Sequence, residues 1–280
     1  EQLDIPYFET RSNTTDLMVS SGETCRDYFA EPCLQSVKRH IREFDAQDAA
    51  RQLRLIRDVF LFQAATAQPQ QAILIPAGSP QIEESRPHET FEATAETLAE
   101  TLKKMAIRTA SGGIVWMLPE KQASPHGLTY RYRQGDSGIY QGNTGIALFL
   151  AAMETVRPDA GYGDLARAAL HPLSQWLQRP WFSPQINLGI TNGLGSFAYA
   201  FARIGTLLFD SELIEQARRI AVLITSDCIH ADAHLDIFHG AAGAMLALLA
   251  VYRATNDSSM LAQAIQCGDH LLSQRTASRP

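Results

Sequence analysis

The stretch Asp236-Ile-Phe-His-Gly-Ala-Ala-Gly-Ala-Met-Leu-Ala-Leu-Leu-Ala-Val-Tyr252 sets an acid and a histidine before two glycines and an unbroken apolar run. Ile237–Tyr252 spans sixteen residues, fewer than the roughly twenty that cross a bilayer. A helix that is apolar nearly all round and too short for a membrane must be buried by protein on several sides. Gly240, Ala241, Ala242 and Gly243 let neighbouring backbone approach its first turn. The start of such a helix has N–H groups without intrahelical partners and carries partial positive charge. Asp236 stands where a carboxylate would meet that end, so the plain reading of its side chain is an N-cap.

The pattern recurs upstream. Gly142-Asn-Thr-Gly145 opens an apolar helix over 146–156, Asn192-Gly-Leu-Gly195 one over 196–209, and Gly240-Ala-Ala-Gly243 one over 244–254. The second glycines, Gly145, Gly195 and Gly243, stand 50 and 48 residues apart, the kind of period that marks a repeat architecture. An amphipathic segment follows each run, over 164–177, 211–225 and 258–273, with Arg167, Glu212, Arg218 and Gln263 on the polar face. Repeated hairpins with a buried inner helix stack into a solenoid or close into an α/α toroid. The predicted fold class is therefore mainly all-α, a partial α/α toroid. Its motif loops, 140–145, 187–195 and 234–243, are expected to line one face of the ring, where a Cβ would collide with adjacent loops. Three hairpins and one further amphipathic helix over 92–108 are too few to close the ring, so the chain is expected to stop part-way round.

Ahead of the repeats, 36–44 and 46–65 read as helices, and Ala50, Leu53, Ile56, Val59 and Phe60 recur at helical spacing in the second. Pro6 biases Ile5 toward extended backbone, so 3–8 reads as a short strand or buried loop. Residues 67–90, rich in Gln, Pro, Ser and Glu, read as a linker with a domain boundary near 88. The segment 110–118 reads as a turn and short strand, and 121–135 as polar and turn-like.

Composition excludes several classes. Among 280 residues, 45% are hydrophobic and 19% charged, which is ordinary for a soluble globular chain. A net charge of −6 gives no electrostatic reason to expect nucleic acid or anionic membrane as partner. Cys25, Cys33, Cys228 and Cys267 lie far apart with no Cys-x-x-Cys pair, against a disulfide framework or a self-contained zinc site and in keeping with a reducing cytoplasm. No signal peptide or membrane span is visible, and the absence of an initiator methionine suggests a start inside a longer chain.

Three stretches, Tyr140-Gln-Gly-Asn-Thr-Gly-Ile-Ala-Leu-Phe-Leu-Ala, Gly189-Ile-Thr-Asn-Gly-Leu-Gly-Ser-Phe-Ala-Tyr-Ala and the run from Asp236, resemble the first three glycine motifs of the lanthionine cyclase (LanC-like) family. Residues 1–65, with Asp4-Ile-Pro-Tyr-Phe8 and Gln52-Leu-Arg-Leu-Ile-Arg57, look like the end of a LanM dehydratase domain. In that order they resemble a class II lanthipeptide synthetase, with 1–88 as the end of a kinase-like dehydratase domain plus linker and 89–280 as the first part of the cyclase. The resemblance implies ATP- and magnesium-dependent phosphorylation of Ser and Thr in a precursor peptide, and elimination to dehydroalanine or dehydrobutyrine. Addition of peptide cysteine thiols across those alkenes then gives thioether rings. It implies a zinc ion that favours the thiolate, a precursor peptide with a leader as substrate, an associated peptide exporter, and Asp236 as the acid/base residue.

The resemblance also implies what this stretch lacks. The zinc ligands would fall after Pro280 and the ATP and magnesium site before Glu1, so this stretch alone is expected neither to phosphorylate nor to cyclise. The family's elimination residues cannot be registered on Thr10 and Arg11. His230-Ala-Asp-Ala-His234 has the spacing of a helical metal site, yet reads as a solvated loop. His239 reads as a loop residue at the mouth or a substrate contact, and Cys228 and Cys267 as small core residues of outer helices. Gly189-x-x-x-Gly193-x-Gly195 lacks the dinucleotide-binding spacing. Rival readings are another α/α-toroid enzyme such as a glycoside hydrolase, with Asp136 and Asp236 as its carboxylates, and a LanC-like scaffold that binds peptides without metal.

Overall fold

A computed structural model describes residues 8–19, 22–67, 88–109, 111–124, 127–177 and 187–275. The chain divides into two units, 1–74 with 122–130 and 75–121 with 131–280. Residues 4–7 of the Asp4–Phe8 segment and most of the expected linker lie outside the described residues.

In the first unit β1 (Phe8–Glu9), β2 (Leu17–Val19) and β3 (Thr24–Cys25) form an antiparallel meander, with Phe8 opposite Val19 and Leu17 opposite Cys25. Gly22 turns the second connection at φ +85°, a conformation that only glycine adopts freely. Helices α1 (Cys33–Glu43) and α2 (Ala46–Ala67) follow, the second opened by Asp45, whose carboxylate accepts from the Asp48 N–H at 2.8 Å. None of residues 8–19, 22–46 and 48–60 is buried. Leu53 and Phe60 of the apolar face of α2 are each 67% exposed.

The second unit holds the core. Helix α3 (His88–Met105) leads into paired strands β4 (Ile107–Arg108) and β5 (Ile114–Val115). Strands β6 (Met117–Ser124) and β7 (Gly127–Gln134), whose residues 122–130 are counted with the first unit, then pair where a turn-like segment was expected. Leu128-Thr-Tyr-Arg-Tyr-Arg133 has the alternation of a half-buried strand. Trp116 is fully buried and donates from Nε1 to the Leu102 carbonyl at 2.8 Å, tying this corner to α3.

Three hairpins follow: α4 (Asn143–Val156) with α5 (Tyr162–Leu177), α6 (Leu194–Leu207) with α7 (Ser211–Val222), and α9 (Ala241–Thr255) with α10 (Ser258–Ser273). A short α8 (Ser226–His230) precedes the third, so Cys228 sits there rather than on an outer helix. The inner helices α4, α6 and α9 pack side by side, each against its own outer partner, in the order expected of a helical toroid. Ala147, Leu150, Ala198, Phe201, Ala244 and Leu248 are wholly buried between them. Burying a large aliphatic or aromatic side chain of this kind stabilises by about 1.5–3 kcal/mol.

The two kinds of helix start differently. Two outer helices carry side-chain caps: on α7 Asp210 accepts from the Glu212 and Leu213 N–H groups, and on α10 Asp257 from that of Ser259. Inner helices begin at Gly142, Gly193 and Gly240, N-cap residues that have no side chain to offer. The loops before them are tightly packed backbone, and the candidate site is built there.

Candidate functional site

Counting from the three N-cap glycines puts the motif loops in register. Gly138, Gly189 and Asp236 stand four residues before the cap. Ile139, Ile190 and Ile237 stand three before it, and Tyr140, Thr191 and Phe238 two before it. At the third residue after each cap come Gly145, Ser196 and Gly243. The position matching Gly145 and Gly243 is therefore Ser196, one beyond the Gly195 that the sequence spacing had chosen. At Gly145 a Cβ would stand 2.0 Å from the Ile139 carbonyl oxygen, and at Gly243 it would stand 2.1 Å from that of Ile237. Ser196 has moved away enough to donate from Oγ to the Thr191 carbonyl at 3.2 Å and to accept from the Ile139 N–H at 3.0 Å.

Each loop hangs on the next. The Ile139 N–H donates to the Thr191 carbonyl at 2.8 Å, and the Ile190 N–H to that of Ile237 at 3.0 Å. Leu188 and Gly189 N–H groups share the His239 carbonyl at 3.0 and 2.9 Å, and Thr191 Oγ1 donates to the Phe238 carbonyl at 2.8 Å. This stitching accounts for the glycines. A Cβ on Gly138 would lie 2.3 Å from the Thr191 oxygen, and one on Gly189 would lie 2.0 Å from the Phe238 oxygen. In the third loop the same position carries a side chain, the Asp236 carboxylate, half exposed.

Asp236 does not cap α9. The helix begins at Ala241, not near Ile237, because the chain from Asp236 to Gly240 is a turn closed on Asp236 itself. Its Oδ1 accepts from the His239 N–H at 2.7 Å, and its carbonyl accepts from the Gly240 and Gly243 N–H groups at 3.1 and 3.3 Å. The capping group is Asp232. Its Oδ2 accepts from the Ala241 N–H at 2.8 Å and from that of Leu235 at 3.0 Å, holding Leu235 at φ +62°. His270, buried on α10, places Nε2 2.9 Å from the Asp232 carbonyl. In the sequence Asp232 stands only as a neighbour of the His230/His234 pair. Its distance from the helix start along the chain hides the role.

Around Asp236 the rim is aromatic and imidazole-rich. His239 Nδ1 lies 4.0 Å from Asp236 Oδ2, and the His234 ring lies 5.7 Å from that of His239, centroid to centroid. Tyr140, 72% exposed, meets Phe238 edge-on at 6.3 Å. The His239 N–H bond, with smaller help from the charges His239 and His234 can carry, holds the Asp236 carboxyl below its ordinary value despite some desolvation. At neutral pH the group is therefore a proton acceptor. His239 belongs beside Asp236, and the Asp-x-x-His spacing was the available signal for it.

The other singled-out residues separate from the rim. His230 ends α8 and His234 lies outside any helix, so the spacing of a helical metal pair is not realised. Asp136 spends Oδ1 on the Gly138 N–H at 2.7 Å. Cys267 is fully buried in α10, and burial pushes its thiol up to about 12. Thr10 closes the first unit's meander by donating to the Asp16 carbonyl at 2.8 Å. Among the described residues no group of three His, Cys, Asp or Glu side chains could hold a metal ion. The residues present do not fit a zinc site.

Glycine-led hairpins with stitched loops, inner helices that start at glycine and a carboxylate on an aromatic rim define a LanC-like helical toroid. The sequence profile of the lanthionine synthetase C-like proteins matches residues 133–280, just over half of the chain, and the chain belongs to that family. No curated protein matches it. The family acts as lanthionine-type cyclases on precursor peptides, generally with zinc. Among the described residues no helix is long and apolar enough to cross a membrane.

Proposed function

We propose that this chain supplies the proton-transfer group and part of the peptide-facing rim of a lanthionine-forming cyclase within a class II synthetase. The observation that supports it is the carboxylate of Asp236 at a loop position that is glycine, and packed over by backbone, in the two preceding repeats. A carboxylate held ionised can take the proton of a peptide cysteine thiol. The sulfur then bonds to the β-carbon of a dehydroalanine or dehydrobutyrine as the alkene π pair moves toward the carbonyl. The carboxylic acid so formed returns its proton to the α-carbon, leaving a thioether and a regenerated carboxylate. His239, half exposed beside it, contributes through its backbone N–H to keeping Asp236 an acceptor, and Tyr140 and Phe238 offer apolar surface to the peptide. On this reading the first unit is the end of the dehydratase that makes the alkenes with ATP and magnesium, and the zinc ligands lie beyond residue 280.

The test is the synthetase carrying this chain, assayed on a Ser/Thr/Cys precursor peptide. Water loss is followed by mass, and free thiols by alkylation. Asp236→Asn keeps an oxygen for the His239 N–H, so the turn survives. Ring closure should fall by about 10²–10⁴-fold while dehydration is unchanged. With native Asp236, cyclisation should hold as pH falls toward the ordinary carboxylate pKa of about 4, because protonation of the depressed group comes later. Unchanged cyclisation by the Asn variant would leave a peptide-binding scaffold as the better account.

A further inference from the structure

In the first two motif loops the backbone fastens itself to the helix that follows. The residue six before each N-cap glycine, Asp136 or Asn187, accepts the N–H of the first helical residue, Asn143 or Leu194, on its main-chain carbonyl at 2.8 and 3.0 Å. Its side-chain Oδ1 takes the N–H two residues on, that of Gly138 or Gly189, at 2.7 and 3.1 Å. In the third loop that place is held by His234. The first helical N–H, that of Ala241, goes instead to the Asp232 carboxylate at 2.8 Å. A side chain has replaced the main chain in the loop that carries Asp236.

Asp232 grips both ends of the Asp236 turn. Its Oδ1 accepts from the His234 N–H at 3.2 Å, and its Oδ2 from that of Leu235, just before Asp236, at 3.0 Å. The same Oδ2 holds Ala241, just after Gly240. Leu235 lies at φ +62°, left-handed backbone that a bulky residue adopts only where its surroundings enforce it. Gly240 is required by the same closure. A Cβ there would stand 2.4 Å from the Leu235 nitrogen and 2.8 Å from both Asp232 Oδ2 and the Asp236 nitrogen. The brace continues into the outer layer: His270 of α10, 6% exposed, donates from Nε2 to the Asp232 carbonyl at 2.9 Å, and the His230 ring meets it edge-on at 6.2 Å. Capping alone needs neither the reach nor the strain, for Asp257 caps α10 from the adjoining position.

We infer that Asp232, braced by His270, is a positioning residue of the cyclase: it fixes the Asp236 turn so that the carboxylate takes the thiol proton and returns it to one face of the α-carbon. This role rests on the cyclase reading of Asp236. Misplacing a proton-transfer group slows the chemical step more than it weakens binding. Because the α-carbon becomes stereogenic as it is protonated, a carboxyl free to wander delivers its proton to both faces.

The synthetase carrying this chain tests it on a Ser/Thr/Cys precursor peptide. Ring closure is followed as loss of alkylatable thiol over a range of peptide concentrations, and the hydrolysed thioether amino acids are resolved by chiral chromatography. Asp232→Ala should lower kcat for closure by about 10²-fold with KM within roughly twofold, and should give mixed α-carbon configurations. His270→Phe keeps a ring beside His230 but cannot donate, and should lower kcat about tenfold. His270→Gln can still donate, and Asp232→Asn keeps an oxygen for Leu235 and Ala241, so both should stay within roughly threefold of native with one configuration. Asp257→Ala removes a cap of the same kind at the far end of α9 and should change neither rate nor configuration. Should Asp232→Ala open Cys267 to maleimide, so that α10 no longer packs, the two His270 variants decide. Native closure by Asp232→Ala and His270→Phe overturns the role, and so does a loss shared by Asp257→Ala with one configuration throughout. Asp236→Asn, run in parallel, separates the readings. Slow closure by Asp236→Asn beside native closure by Asp232→Ala removes only the positioning role, whereas native closure by Asp236→Asn removes the cyclase reading and this role together.

Discussion

Asp232 and Asp236 lie four residues apart and do different work. Asp232 closes the start of α9 from outside the helix, and Asp236 closes a turn with one oxygen while the other faces His239. Asp232→Ala removes the acceptor for Ala241 and Leu235 and should cost about 1–2 kcal/mol in urea unfolding, while Asp232→Asn should cost less. Asp236→Asn should move stability little, so the two carboxylates separate by assay. The sequence showed an acid before a glycine-led helix and left open whether it capped or catalysed. It could not show which acid reached the helix, because the N–H that Asp232 meets lies nine residues along the chain. His239 was legible as a loop residue. Its pairing with Asp236 depended on a turn whose hydrogen bonds only the folded backbone displays.

At the scale of the element, the three glycine-led helices were legible because small residues leading into unbroken apolar runs suit little besides a buried, closely packed helix. Their starts were misjudged where a loop closes on itself before the helix begins, as at 236–240. Strands β6 and β7 were missed although the alternation over 128–133 was present, because charged and turn-forming residues on either side obscured it. Glycines separate into those required by packing and those that are not. Gly189→Ala would push a methyl into the Phe238 carbonyl and the His239 Cα and should cost about 3 kcal/mol or more. Gly268→Ala, within α10 with only Met245 Sδ at 3.8 Å, should be neutral or stabilising by up to about 1 kcal/mol. Thermal unfolding of the two variants checks the pair.

Across the whole molecule, the buried core lies in the second unit, and residues 8–19, 22–46 and 48–60 of the first have no buried side chain. Thiol chemistry reports each unit separately. Cys25 and Cys33 are exposed, whereas Cys267 is buried with its thiol pushed up to about 12. Under native conditions a maleimide probe, read by peptide mass, should label Cys25 and Cys33 promptly and leave Cys267 unmodified until denaturant unfolds α10. Rapid native labelling of Cys267 would contradict the packing of α9 against α10. The exposed faces of α1 and α2 were not legible in the sequence, since helical spacing of apolar residues does not say whether anything covers them.

The hydrogen bonds that join the motif loops run in one direction, from Ile139 to Thr191 and from Ile190 and Thr191 to Ile237 and Phe238. The mouth thus behaves like a hem sewn with a single thread. A load placed on Phe238 would therefore bear first on Thr191 and, through it, on Ile139 beside Tyr140.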